Sequence, residues 1–142
     1  MDEMSQKILD FHNTKRMELA SGQNKKFLPA DGGEMNKLVW DCSLVTKAKS
    51  AIKGRSEQNA IYPYGLNTDF VRLKEGLRSF ESDFKPSLER WWNEGNSSNP
   101  DKPYGDKANY ENMVYSGYQR LGCYSTRTAK KVLAFNACVY EE

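Results

Sequence analysis

An α+β fold, with helices on both sides of a small sheet, is predicted by two features of this sequence. Up to Trp92 most apolar residues recur at helical intervals. From Arg120 onward the chain reads as strand, turn, strand, and the second strand is apolar on both faces.

Each element has its own justification. Met4, Ile8, Phe11 and Leu19 share one side of a helix from about residue 3 to 21, ended by Gly22. A loop with Pro29 and Gly32-Gly33 follows. Met35, Leu38, Cys42, Val45, Ala48 and Ile52 predict a second helix over 34–53, stopped by Gly54. Residues 55–68 lack a helical period, and Ile61-Tyr62-Pro63-Tyr64-Gly65 reads as a short extended piece with a turn. Phe70, Leu73, Leu77, Phe80 and Phe84 form a helical stripe. Pro86 opens a short helix bearing Leu88, Trp91 and Trp92. Residues 95–107 hold two glycines and two prolines and read as a loop, and Tyr110, Met113 and Val114 as one or two helical turns. One strand is expected near Arg120–Ser125. The other runs from Val132 to Tyr140, apolar apart from Asn136, and is expected to be central and covered.

Composition bounds the function. A chain of 142 residues suits one domain, residues 1–142. Mean hydropathy is −0.82, yet aromatic residues reach 12%, enough large rings to build a core and to argue against disorder. A net charge of +2 is too mild to imply a nucleic-acid partner. No apolar run reaches the roughly 18 residues of a transmembrane helix. The start Met1-Asp2-Glu3-Met4 lacks the profile of a signal peptide, so the chain is either intracellular or has lost its leader.

The reactive side chains are few. His12 is the only histidine, so no site with two imidazoles can be built within the chain. With Asn13 and Arg16 it sits near the inner edge of the first helix. A hydrogen-bonded cluster tying helix to sheet is the better reading; a lone histidine without an acidic or cysteine neighbour is rarely a catalyst. No Ser-His-acid arrangement can be proposed around it, which leaves a hydrolase the weakest reading. The cysteines, Cys42, Cys123 and Cys138, are odd in number. A secreted chain would hold one bridge and one leftover thiol, a cytosolic chain three buried thiols, and neither fits a cysteine metal site. Asn96-Ser97-Ser98 is an N-glycosylation sequon in a polar loop. Of Trp91 and Trp92, one ring is expected in the core and the other along a groove, since neighbouring helical positions diverge by about 100°. Tyr62, Tyr64, Tyr104, Tyr115 and Tyr118 form either a recognition patch or simply core filling.

Five landmarks in order resemble the cysteine-rich secretory protein, antigen 5 and pathogenesis-related 1 (CAP) superfamily. The first is His12-Asn13-x-x-Arg16, with Trp40-Asp41-Cys42 after it. Tyr64-Gly65-Leu66-Asn67 resembles the family's Gly-Glu-Asn turn. Trp91-Trp92-Asn93-Glu94 resembles its Trp-x-x-Glu helix. Asn109-Tyr110-Glu111-Asn112-Met113-Val114-Tyr115, then Gly122-Cys123, resembles His-Tyr-Thr-Gln-x-Val-Trp and the Gly-Cys strand. Ala137-Cys138-Val139-Tyr140 resembles Val-Cys-x-Tyr. The phrase around Trp40 especially resembles secreted nematode members, the venom-allergen-like or activation-associated secreted proteins.

The resemblance implies one CAP domain, an α-β-α sandwich around three or four mostly antiparallel strands, secretion, and a Cys123–Cys138 bridge. Arg55 stands where another half-cystine would be, so Cys42 is expected to be unpaired and buried. It also implies a cleft of two histidines and two glutamates able to hold a divalent metal. Here those positions fall on Asn59, Leu66, Glu94 and Asn109. An amide is a poor zinc ligand, leucine is none, and neither exchanges protons. No metal, no cofactor and no enzymatic activity are therefore expected. The expected work is binding: an effector or immunomodulator engaging an extracellular or host protein through loops 22–34, 55–69 and 95–108. The alternative is a sterol or fatty-acid carrier, with Phe70, Leu73, Leu77 and Phe80 leaving a groove against another helix.

Overall fold

The computed structural model describes residues 1–22, 35–53, 65–96 and 107–142. Helix α1 spans Glu3–Ala20, with Asp2 as its cap: the Asp2 carboxylate accepts from the Ser5 amide at 2.7 Å. Strand β1 is Val39–Trp40, helix α2 Cys42–Lys53, and strand β2 Gly65–Arg72. Helices α3 (Phe80–Asp83), α4 (Lys85–Asn93) and α5 (Ala108–Val114) follow, then strands β3 (Arg120–Arg127) and β4 (Leu133–Glu141).

The four strands form one mixed sheet in the order β1-β3-β4-β2. β1 runs parallel to β3, and both other pairings are antiparallel. The paired apolar faces of β4 hold it in the interior of this sheet, with Cys138 opposite both Asn67 and Cys123. One face packs against α2 through Leu44, Ala48, Ala137 and Val139. The other carries the larger core: Ile8 and Leu9 of α1, the rings of Phe84, Trp91 and Tyr110, and Leu121 and Tyr140 from the sheet. Helices therefore cover both faces, unequally.

Two expected elements are corrected. Helix α2 begins at Cys42, not at residue 34. Val39 and Trp40 instead bond to β3, with the Val39 amide donating to the Gln119 carbonyl at 2.9 Å. Asp41 then ends the strand and starts the helix: its side chain accepts from the Ser43 amide at 2.8 Å. The stripe from Phe70 to Phe84 is not one helix. Phe70 lies on β2, Leu73 and Leu77 on the following segment, and only Phe80 and Phe84 reach α3 or its end. Leu77 is 93% exposed, the reverse of a core position. The expected loops at 22–34 and around Ile61–Tyr64, with Tyr62, Tyr64 and Tyr104, fall mostly or wholly outside the described residues.

Candidate functional site

The polar interior starts on α1. Positions 12, 13 and 16 share the sheet-facing side at helical spacing. Asn13 clasps one residue of backbone: its Nδ2 donates to the Leu38 carbonyl (3.1 Å) and its Oδ1 accepts from the Leu38 amide (2.8 Å). The buried Arg16 guanidinium donates to the carbonyls of Asn36, Met113, Tyr115 and Tyr118. One side chain thus ties the segment before β1 to the end of α5 and the start of β3.

From His12 a hydrogen-bonded chain crosses the core. His12 is 0% exposed. Its Nδ1 faces the Ile8 carbonyl (2.9 Å), which can only accept, so Nδ1 carries the proton. Nε2 then accepts from the Tyr140 hydroxyl at 2.7 Å. Tyr140 in turn accepts from Asn67 Nδ2 (3.2 Å), which also reaches the Asn109 carbonyl (3.0 Å). Asn67 Oδ1 accepts from Asn112 Nδ2 at 2.9 Å. Burial lowers the His12 pKa to about 4, the Ile8 bond opposing it and the Arg16 charge adding to it. Burial pushes the Tyr140 hydroxyl well above its ordinary value. The pair stays neutral at physiological pH.

Glu94, at the end of α4, is buried at 4% exposure. Its Oε2 accepts from Asn109 Nδ2 (2.8 Å) and its Oε1 from the Tyr110 amide (3.2 Å). Of the four cleft positions, the structure brings Glu94 and Asn109 into contact. Leu66 packs with the α2-facing cluster, whereas its neighbour Asn67 turns to the opposite face, as alternation along a strand requires. Asn59 lies outside the described residues. Among the described residues no three of His, Cys, Asp and Glu gather as a metal-holding group. The described positions do not suit a divalent cation either: an amide, a leucine packed toward the other face, and one carboxylate already accepting from two donors. No buried side-chain nitrogen or oxygen among the described residues lacks a hydrogen-bond partner.

Asn67, Asn112 and Tyr140 were not singled out from sequence as parts of this interior. The two amides on α5, Asn109 and Asn112, one turn apart, were the available signal. Cys123 and Cys138 form a disulfide across β3 and β4, their Cα atoms 4.1 Å apart. Cys42 is free but exposed, which corrects the expectation of a buried thiol: at the first position of α2 it points away from the Leu44–Ala48 stripe. Asn96 is half-buried just past α4, and Ser97 and Ser98 lie outside the described residues. Trp91 and Trp92 are both buried, Trp91 in T-shaped contact with Phe84. Trp92 also lines a groove of about 670 Å³ between α1 and α3–α4, with Phe11, Phe80, Lys7, Lys15 and Lys85. Of the four residues expected along such a groove, Phe80 alone lines it. Phe70 borders a different hollow, of about 310 Å³, beside Ile52 and Phe135. Tyr115 is exposed, and its ring meets Tyr118, which stacks on Tyr140.

Layers of helix around a four-stranded mixed sheet, with a histidine-anchored amide chain through the core, define an α-β-α sandwich. The sequence profile of the cysteine-rich secretory protein family matches residues 9–140, and the chain belongs to that family, CAP. It is 30% identical to Ancylostoma secreted protein from Ancylostoma caninum, over 98% of this chain and 34% of that protein. The chain thus spans about a third of the length of this relative. Among solved structures, manganese-bound Ac-ASP-7 is 26% identical, with a TM-score of 0.67 over 100% of this chain and 69% of that one. BmVAL-1 superposes with a TM-score of 0.76 over 99% and 77% of the two chains at 18% identity, a likeness of fold. Among the described residues no helix is long and apolar enough to cross a membrane.

Proposed function

We propose that the protein is a secreted, non-catalytic binding protein, an effector or immunomodulator that engages an extracellular or host protein through its surface. The observation that carries this reading is the state of Glu94. Its carboxylate is satisfied by Asn109 and the Tyr110 amide, and Asn109 is held in turn by Asn67. A general base needs a lone pair aimed at a substrate, and a metal ligand needs partners of its own kind. Two of the Glu94 acceptor sites are engaged by protein donors, and among the described residues no further His, Cys, Asp or Glu gathers with it as a metal-holding group, which supports a non-catalytic reading. The interior therefore serves rigidity, and recognition falls to the outside.

Calorimetric titration with zinc and with manganese tests the reading. No saturable binding is expected at micromolar ion. Micromolar affinity that vanishes in Glu94→Gln would overturn it. A partner captured from host serum should bind Glu94→Gln as well as the parent, provided that variant keeps its fold.

A second reading, a fatty-acid or sterol carrier, is favoured by the groove between α1 and α4. Its apolar wall of Phe11, Phe80 and Trp92 is rimmed by Lys7, Lys15 and Lys85 together with Asp10 and Glu89. Lys7 and Lys15 are themselves paired with glutamates, so the apolar wall favours a lipid chain while Lys85 is, among the described residues of the rim, the cation left to meet a head group. Native mass spectrometry with palmitate should show a one-to-one adduct that Phe11→Asp abolishes. Unchanged adduct in that variant would remove the groove from consideration.

A further inference from the structure

The β3–β4 turn and the segment after β2 lie side by side at one end of the sheet. The Leu73 amide donates to the Val132 carbonyl at 2.9 Å, and Arg127 Nη1 donates to the Gly76 carbonyl at 3.2 Å. Three large apolar side chains stand in solvent here: Phe70 at 57%, Leu77 at 93% and Val132 at 53% exposure. Arg72, Lys74, Lys130 and Lys131 lie on the same two segments, all exposed. None of the four is in an ion pair among the described residues. The neighbouring Arg78 and Arg127 are engaged by Asp83, which leaves Glu75 as the acidic residue of the patch.

The turn is built to hold this display still. The Lys131 amide donates to the Thr128 carbonyl (2.8 Å), and Thr128 Oγ1 accepts from the Val132 and Leu133 amides (3.3 Å each). Lys131 has φ of 55°, a left-handed conformation that glycine adopts with less strain. A lysine stands where the backbone alone favours glycine.

Charge and apolar surface together select the occupant. A soluble polyanion would meet the cations and leave Leu77 and Val132 in water. An apolar protein pocket would have no use for four cations set against the single carboxylate of Glu75. A bilayer with anionic headgroups takes both, the basic side chains at the headgroups and the apolar tips at the acyl boundary. We propose that this end of the sheet, Phe70, Arg72, Lys74, Leu77 and Lys130–Val132, is a docking surface for an anionic phospholipid bilayer. It is separate from the α1–α4 groove, and it stands whether or not that groove holds a ligand.

Sedimentation of the full chain with vesicles tests it. Binding is expected to phosphatidylcholine vesicles containing about one-third phosphatidylserine, and not to phosphatidylcholine alone. It should weaken as salt rises. Lys130→Gln with Lys131→Gln should weaken partitioning roughly 25-fold, about fivefold per charge. Leu77→Ser with Val132→Ser should weaken it by about tenfold or more at constant charge. Lys131→Gly guards against misfolding: it suits the turn, so it should melt no lower than the parent while binding about fivefold more weakly. Equal binding to neutral vesicles, no binding to anionic ones, or full binding by the Leu77/Val132 variant would each overturn the proposal.

Discussion

His12 shows how one side chain sets a pH limit on the fold. It is neutral inside the protein with a pKa of about 4, against 6.5 in an open chain. Above pH 6.5 it is neutral in both states and adds no pH dependence. As pH falls from 6.5 to 4 the unfolded chain takes up a proton that the folded one refuses, so stability is lost across that window. At pH 4.5 the loss is roughly 2–3 kcal/mol. Urea midpoints at pH 7 and pH 4.5 check this: the parent should lose clearly more stability between them than His12→Gln, which starts lower and falls less. Parallel losses would show that His12 is not the group responsible. The structural role of His12, Asn13 and Arg16 was legible because three polar groups on the inner edge of an apolar helix must find partners there. Those partners were not legible. Most are backbone carbonyls, at Ile8, Asn36, Leu38 and Met113, and a carbonyl carries no sequence signal.

Strand β2 is where the helical reading failed, and the failure has a cause. Gly65, Asn67, Asp69 and Val71 share one face of the strand; Leu66, Thr68, Phe70 and Arg72 share the other, where Leu66 packs toward α2 and the remaining three are exposed. The face toward the larger core carries polar Asn67 and Asp69 beside Val71, and the α2-facing side carries Leu66 but also an exposed Phe70, so neither face reads as a uniform apolar stripe. The polar positions have partners: Asn67 serves the interior chain and Asp69 pairs with Arg90 of α4. The Phe70-to-Phe84 spacing then imitated a helix by coincidence. On the opposite face of the sheet, packing is set by an absence. A Cβ at Gly122 would press on the Val45 amide nitrogen and stand 2.6 Å from Leu44 C and Cβ, which are backbone or branch directly from it. Helix α2 sits as close to β3 as it does because residue 122 has no side chain. Gly122→Ala should therefore push α2 away from Ala137 and Val139 and cost about 3 kcal/mol. Chemical denaturation measures the loss. A cost under about 0.5 kcal/mol, the range of ordinary surface substitutions, would mean α2 is not seated by this contact.

At the scale of the molecule the order of five landmarks carried the family, while the layers followed from helical periods preceding strands and the central place of β4 from its two apolar faces. Exposure of individual side chains did not follow from that order, and the thiols are the test. Cys123 and Cys138 are joined in the larger core, whereas Cys42 is exposed at the start of α2. Alkylation of the native protein should label the one free thiol, and labelling after reduction in denaturant all three. The bridge closes a separation of 15 residues, which on the chain-entropy account stabilises by about 3 kcal/mol. The β3–β4 turn and the full antiparallel register already hold the two strands together in the folded state. Reduction should thus leave the fold in place and act on the unfolded ensemble. The expected result is a melting point lower by roughly 10 °C with an unchanged native circular-dichroism spectrum. Loss of the native spectrum on reduction at room temperature would show instead that the helices covering this face cannot keep the sheet assembled without the covalent tie.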